Sequence, residues 1–391
     1  VSAGSLSARD LVELLAVRRS LHASPELSGR EEETSQRIAS LLERSGADEV
    51  LLGLGGHGVA GIYRGGARGK TVVLRGELDA LPIRETGTKA HRSKHEGVAH
   101  SCGHDGHMTI LLGVARSLER ARPGAGQVVL LFQPAEETGE GMARILEDGR
   151  LSALGPDLAF ALHNLPGHEE GAVLLRQGTF ACASKGLRIE LQGNTAHAAW
   201  PETGRSPAGT LARLLQRLPG LAGMAPRGRR TWLTPVHARL GEEAFGVAPG
   251  EAVLLVTLRA ETDEGMEALE RAVRGAVTEE ALRDSLAVTI TEADVFPATV
   301  NDGVAVETVL GAATRLGFPV VEMKEAMRAS EDFGRLAALC PLALFGLGAG
   351  TGCRALHDSS YDFPESLVPR GVDLFLTILE EAQKDVPPHA G

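Results

Sequence analysis

The chain is 391 residues long, 43% hydrophobic and 23% charged, an ordinary globular balance too mixed for disorder. Lys and Arg number 40 against 51 Asp and Glu, a formal charge of −11 that argues against nucleic acid or an anionic membrane as partner. Its length exceeds the roughly 250–300 residues at which a single core stops growing, so two domains are expected, and no run approaches the ~18 apolar residues of a membrane span.

Residues 1–5 have neither the basic nor the apolar region of a secretory signal. The cysteines at 102, 182, 340 and 353 form no C-x-x-C pair and no disulfide-like cluster, so a reducing, cytoplasmic setting is expected. Residues 8–22 place apolar side chains at helical spacing, Pro25 to Gly29 break that pattern, and residues 31–44 resume it with Ile38, Leu41 and Leu42 inward. After glycine-rich turns at 53–58, residues 59–63 and 71–74 read as strands. A helix runs to about Arg120, followed by a strand at 127–132, a helix at 139–146 and a strand at 157–162. This alternation predicts an α/β sheet covered by helices.

Near Ala183 the texture changes. Strands at 186–191, 232–240, 252–260 and 287–292 enclose helices at 207–218 and 264–277. The order β-α-β-β-α-β is the ferredoxin-like split arrangement. A helix at 304–316, a strand at 341–347 and a final helix from Ser366 then resume the first texture. The expected architecture is therefore a mixed α/β catalytic domain (residues 1–182 and 296–391) interrupted by an inserted α+β, ferredoxin-like domain (183–295).

The chemistry is concentrated in His100-Ser101-Cys102-Gly103-His104-Asp105-Gly106-His107, where three histidines, a thiol and a carboxylate precede an apolar helical run. Histidine and cysteine at this density suit a transition metal, with Gly103 and Gly106 allowing a tight backbone and Asp105 placed to cap the helix. Further reactive types follow successive predicted strands: Glu77 and Asp79, then Glu136 and Glu137, then His163, then His357. Open α/β sheets bind ligands at that end of their strands. Adjacent carboxylates such as Glu136 and Glu137 repel unless positive charge holds them. Cys102, His104, His163, His357 and one glutamate are too many ligands for one catalytic zinc. They suffice for two metals roughly 3.5–4 Å apart if Cys102 bridges.

Taken in order, R-S-L-H-A-S-P-E (19–26), R-G-E-L-D-A-L-P-I (75–83), H-S-C-G-H-D-G-H, Q-P-A-E-E (133–137), A-L-H-N (161–164), N-T-A-H-A-A-W-P (194–201), S-E-D-F (330–333) and L-H-D-S-S-Y-D-F (356–363) resemble the co-catalytic metallohydrolases that include aminoacylase and carboxypeptidase G. Among these, the sequence is similar to the amidohydrolases that group hippurate hydrolase with the auxin–amino-acid conjugate hydrolases. The resemblance implies two divalent cations (zinc, manganese, nickel or cobalt), with Cys102 bridging. Glu137 and His357 would complete one cation and His104 and His163 the other. It implies Glu136 as general base, Asp79 as the carboxylate orienting the site, and His197 as an oxyanion-stabilising histidine that can reach across a homodimer formed by the insertion. Arg259 and Asn301 are candidate substrate-binding residues, and His22, Asp105 and His107 are assigned structural roles. The chain departs from the family pattern in Glu77 for aspartate, in Gly246 for a substrate-contacting asparagine, and in the segment Gly193 to His197. The implied reaction is hydrolysis of the amide bond of an N-acyl amino acid or small conjugate. The alternatives are a metallo-dipeptidase or carboxypeptidase on the same site, or a non-catalytic binding protein on the same fold.

Overall fold

The computed structural model describes residues 6–223 and 230–384, so residues 1–5, read as lacking the features of a secretory signal, lie outside it. In chain order the first part contains α1 (Ala8–His22), α2 (Glu32–Arg44), β1 (Glu49–Leu54), β2 (Gly58–Arg64), β3 (Thr71–Glu77), α3 (His104–Arg120), β4 (Gln127–Gln133), α4 (Gly141–Asp148), α5 (Arg150–Ala153), β5 (Leu158–Leu165), β6 (Val173–Leu175) and β7 (Gly178–Ala181). The middle part holds β8 (Ala183–Gln192), β9 (Ala196–His197), α6 (Ala208–Arg217), β10 (Thr231–Leu240), β11 (Val247–Ala248), β12 (Glu251–Ala260), α7 (Asp263–Arg283) and β13 (Ala287–Phe296). The last part supplies β14 (Thr299–Asn301), α8 (Gly303–Leu316), β15 (Val320–Glu322), β16 (Leu342–Gly348) and α9 (Leu367–Ala382).

Two compact units result. The first comprises the described residues up to Phe180, Thr299–Glu325, and those from Asp332 onward; the second is Ala181–Ala298 with Ala326–Glu331. The short return of Ala326–Glu331 to the second unit has no counterpart in the domain limits read from sequence. Ala181 bridges Met327, and the Cys182 amide donates to the carbonyls of Met327 and Ala329.

The first unit is built on a mixed eight-stranded sheet in the order β1-β2-β4-β3-β5-β16-β6-β15. Its centre, β4-β3-β5-β16, is parallel, so the C-terminal ends of these strands share one edge. β3, β5 and β16 are buried along their whole length, as near-continuous apolar runs require when both faces are covered. β3 runs on through Arg75 and Glu77, beyond the predicted 71–74, because these charges pair with each other inside the sheet. Likewise β5 continues through His163 and Asn164, which sequence patterning placed after it.

Helices α3 and α9 pack tightly, with glycines at the contact. A Cβ on Gly113 would stand 2.4 Å from Val372 Cγ2, and one on Gly106 would stand 2.3 Å from the Phe363 ring. Gly106 thus serves close packing within α3, whereas Gly103 (φ +94) supplies the left-handed turn. The second unit has the sheet order β10-β12-β8-β13, with its neighbours antiparallel and its own apolar core, in keeping with a ferredoxin-like arrangement. Among the described residues no helix is long and apolar enough to cross a membrane.

Gly113→Val is expected to overpack the α3–α9 contact and cost roughly 1–3 kcal/mol. Gly311→Ala in α8, whose Cβ would come no nearer than 3.9 Å to Glu381 of α9, should be neutral or slightly stabilising. Thermal melting of the two variants beside wild type measures both.

Candidate metal centre

The parallel strands deliver their C-terminal residues to one place. β3 leads to Asp79, β4 to Glu136 and Glu137, β5 carries His163, and the segment after β16 carries His357. Cys102 and His104 arrive from the start of α3, whose N-cap is Gly103. Asp105 does not cap this helix, contrary to the sequence reading: its buried carboxylate accepts from His22 Nδ1 at 2.9 Å and lies 2.8 Å from Arg18 Nε. Tying α1 to α3 is therefore its task.

The donor atoms of Cys102, His104 and His163 lie within 4.8 Å of one another, and so do those of Cys102, Glu137 and His357. One sulfur belongs to both sets. Cys102 Sγ is 3.4 Å from His163 Nε2. His104 Nε2 is 3.8 Å from Glu137 Oε1 and 3.9 Å from Glu136 Oε2, and His357 Nε2 is 3.8 Å from Glu137 Oε1. His357 adopts a left-handed backbone (φ +66), its amide held by the Ser101 carbonyl at 2.8 Å.

The imidazoles are oriented from behind. His104 Nδ1 donates to the Asp79 carbonyl at 2.8 Å, and His163 Nδ1 to the Asn164 carbonyl at 2.9 Å. A carbonyl can only accept, so in each ring Nε2 is the atom turned to the cluster. Asp79 Oδ2 accepts from Ser28 Oγ at 2.7 Å and from the Glu137 amide at 3.0 Å. These contacts hold the ring of one donor and the backbone of another.

Electrostatics follow from burial and crowding. Burial pushes the Cys102 thiol well above its usual range, and the carboxylates of Glu137 and Glu136 add to the effect. Burial also lowers His163 to about 3. At His104 burial opposes charge, but the carboxylates of Glu77, Asp79 and Glu137 outweigh it and raise the imidazole to about 10. The pocket therefore favours positive charge at His104 Nε2, whether proton or cation. A thiol, carboxylates and imidazole nitrogens facing one another are the donor set for borderline divalent cations, and these residues fit two of them.

A second buried layer supports the first. Arg75 pairs with Glu77, donates to Gln133 Oε1 at 2.8 Å and lies 3.2 Å from Asp332 Oδ1. Glu77 Oε2 is 2.6 Å from His107 Nδ1, and His107 Nε2 is 2.5 Å from Asn164 Oδ1. Glu77, one methylene longer than the aspartate of the resembling family, thus still reaches His107.

The remaining candidates lie elsewhere. Asn301 is buried: its amide donates to the Arg176 and Leu344 carbonyls at 2.9 and 2.7 Å, and its oxygen accepts from the Leu344 amide at 2.8 Å. With both N–H groups spent on backbone it stitches β14 to β16, which corrects its reading as a substrate-binding residue. His197 and Arg259 belong to the second unit. His197, exposed on β9, accepts the Ala199 amide at Nδ1 (3.1 Å), so its neutral ring carries the proton at Nε2. Arg259, half-buried on β12, donates from Nη1 to the Arg328 carbonyl (2.6 Å) and Ser330 Oγ (2.8 Å), and burial lowers its pKa. A Cβ at Gly246 meets nothing within 4 Å, so the missing asparagine leaves open space.

The family model for peptidase family M20/M25/M40 matches residues 73–381. The chain belongs to this family. Its members are hydrolases of amide bonds. The chain is 29% identical over 361 residues to hippurate hydrolase of Campylobacter jejuni, covering 92% of this chain and 94% of that one. It is 32% identical over 297 residues to IAA-amino acid hydrolase ILR1-like 5 of Arabidopsis thaliana, covering 74% and 67%. Among solved structures, the Bacillus subtilis YXEP protein, described as a dinuclear metal binding peptidase of the M20 family, aligns with a TM-score of 0.82. It has 25% identity and covers 97% of this chain and 100% of that one. This M20-family chain thus shares with that neighbour a fold that holds two metals.

Sequence reading missed Ser28 and Glu31. Glu31, read as the first residue of a helix, is the N-cap residue of α2, and its side chain turns inward, where Oε1 accepts the Ala135 amide at 2.7 Å. The two residues lie 104 positions apart, so no local pattern marks the contact.

The His22 imidazole yields a pH prediction. Burial opposes its charge, but Asp105 and Glu85 raise it from 6.5 to about 9. Its contribution, on the order of 3 kcal/mol, should be fully present below pH 6.5 and lost as pH rises through about 9. Melting temperatures from pH 6 to 10 should fall more steeply for wild type than for His22→Asn.

Proposed function

We propose that the protein removes the acyl group from N-acyl amino acids or similar small conjugates, the chemistry for which hippurate hydrolase and IAA-amino acid hydrolase are named. The observation that carries this reading is the sharing of Cys102 by two donor sets, with Glu136 beside them. In this reading Cys102, Glu137 and His357 hold one cation, and Cys102, His104 and His163 the other; zinc, manganese, nickel and cobalt all suit these donors. Cations held by these residues would supply a lowered pKa for water and polarisation of the amide carbonyl.

Glu136 takes the proton of the attacking water and returns it to the amide nitrogen, so the amine departs neutral. Asp79 keeps His104 and the Glu137 backbone in register for this. His197 is assigned the oxyanion contact, supported by the tautomer that makes Nε2 a donor. Arg259 is assigned the substrate carboxylate: Nη1 is occupied, but a half-buried guanidinium keeps further N–H groups to offer an anion. The ferredoxin-like unit is proposed to form a homodimer, letting His197 serve the partner's site, and the enzyme is assigned to the cytoplasm.

Glu136→Gln should abolish hydrolysis of benzoyl- and acetyl-amino acids while metal content, measured by elemental analysis, stays at the wild-type level. Ordinary turnover in that variant removes the base assignment. Arg259→Met should raise KM for acyl amino acids about 10-fold or more with little change in kcat, as loss of a charged contact to the bound substrate predicts. Faster cleavage of dipeptides than of acyl amino acids would favour the peptidase alternative.

A further inference from the structure

The turn that presents Glu136 and Glu137 begins with a residue in an unusual conformation. Ala135, buried between β4 and the two carboxylates, has φ +49, in the left-handed region where an alanine does not rest by itself. Such a residue persists only where its surroundings over-determine it, and such sites collect around function. The turn closes on itself through Gly139 N to Glu136 O at 2.8 Å and Gly141 N to Ala135 O at 3.1 Å. From outside, one buried group reaches the strained residue. Glu31 Oε1 accepts the Ala135 amide at 2.7 Å and the Gly29 amide at 2.9 Å. Three residues earlier, Ser28 holds Asp79, which in turn holds the Glu137 amide. Two of the external restraints on the turn therefore trace to the short segment before α2, beside the Arg335 guanidinium at the Gly139 carbonyl (3.5 Å).

We propose that Glu31 is a positioning residue whose carboxylate clamps Ala135 in its left-handed conformation and so aims Glu136 and Glu137 together into the donor cluster. This rests on the roles given to those two glutamates. Stability alone does not explain Glu31. It is fully buried, and its Oε2 has no hydrogen-bond partner. A buried carboxylate with one oxygen unsatisfied is costly, and an apolar side chain would fill the same space more cheaply. What an apolar side chain lacks is an acceptor for the Ala135 amide.

The test compares Glu31→Gln, Glu31→Ala and the double variant Glu31→Ala/Ala135→Gly in the zinc-loaded protein. Zinc release is followed by chelator titration, and kcat and KM are measured with benzoyl-amino acids. Glu31→Ala should bind one of its two zinc ions about 10–100-fold more weakly, the usual effect of losing a group that orients a ligand. It should also lower kcat with KM nearly unchanged. Glu31→Gln retains an acceptor oxygen and should stay close to wild type. Glycine takes up the left-handed backbone without penalty, so the double variant should recover most of the lost affinity. Wild-type zinc affinity in Glu31→Ala would overturn the clamp. So would a lowered melting temperature with no selective zinc loss and no recovery on adding glycine. If the zinc results hold while the wild-type protein hydrolyses no acyl amino acid, the clamp stands and the amidohydrolase reading falls.

Discussion

A thiol, two neighbouring carboxylates and three imidazoles meet within a few ångströms at one edge of a buried sheet, and such a gathering of lone pairs is stable only where positive charge holds it. That requirement orders the surrounding structure. It explains why the rings of His104 and His163 are pinned by backbone carbonyls, each leaving Nε2 toward the cluster. It also explains the pull on His104, where neighbouring carboxylates overcome burial to favour a positive charge. Isolated burial of either carboxylate in its charged form would cost several kcal/mol.

The fold makes the gathering possible through a simple geometric fact. Parallel strands all end on the same side, so residues far apart in the chain are brought to one edge without long excursions. Asp79, Glu137, His163 and His357 come from four such connections, and α3 inserts Cys102 and His104 among them. Behind the donors, buried pairs such as Arg75 with Glu77 and Asp105 with Arg18 and His22 anchor the strands and helices that carry them. Charge is thus arranged in layers, an inner cluster of candidate metal donors and an outer one of ion pairs within the protein.

The ferredoxin-like unit contributes differently. It has its own core and its own antiparallel sheet, and the residues assigned to substrate are offered at its surface or half-buried. His197 has its tautomer set by a local amide, and Arg259 has its Nη1 set by a short return of the chain at 326–331. His197 thus lies on the short strand β9 and Arg259 on the inner strand β12, and a Cβ at Gly246 would meet only open space.

Much of this was legible in the residues. α1 falls on the predicted 8–22, and the alternation of strands and helices, the ferredoxin-like order and the metal-type composition around Cys102 are all visible, because side-chain periodicity and ligand density are local signals. Local patterning went astray where a distant partner overrode it. Asp105 is placed to cap a helix, but Arg18 and His22 claim it; Glu31 does begin α2 with its backbone, yet its carboxylate goes to Ala135. β3 and β5 outrun their predicted ends because the charged and polar residues there find buried partners, Glu77 in Arg75 of the same strand and Asn164 in His107 of α3. Asn301 could pass for a substrate contact until its amide is found bonded to the carbonyls of Arg176 and of Leu344 in β16. The sequence by itself determined the kinds of elements and the chemistry they carry. Which polar side chains join the donor cluster and which are consumed in holding the frame is settled by the tertiary fold alone, since a hydrogen bond between residues a hundred positions apart leaves no periodic trace in either neighbourhood.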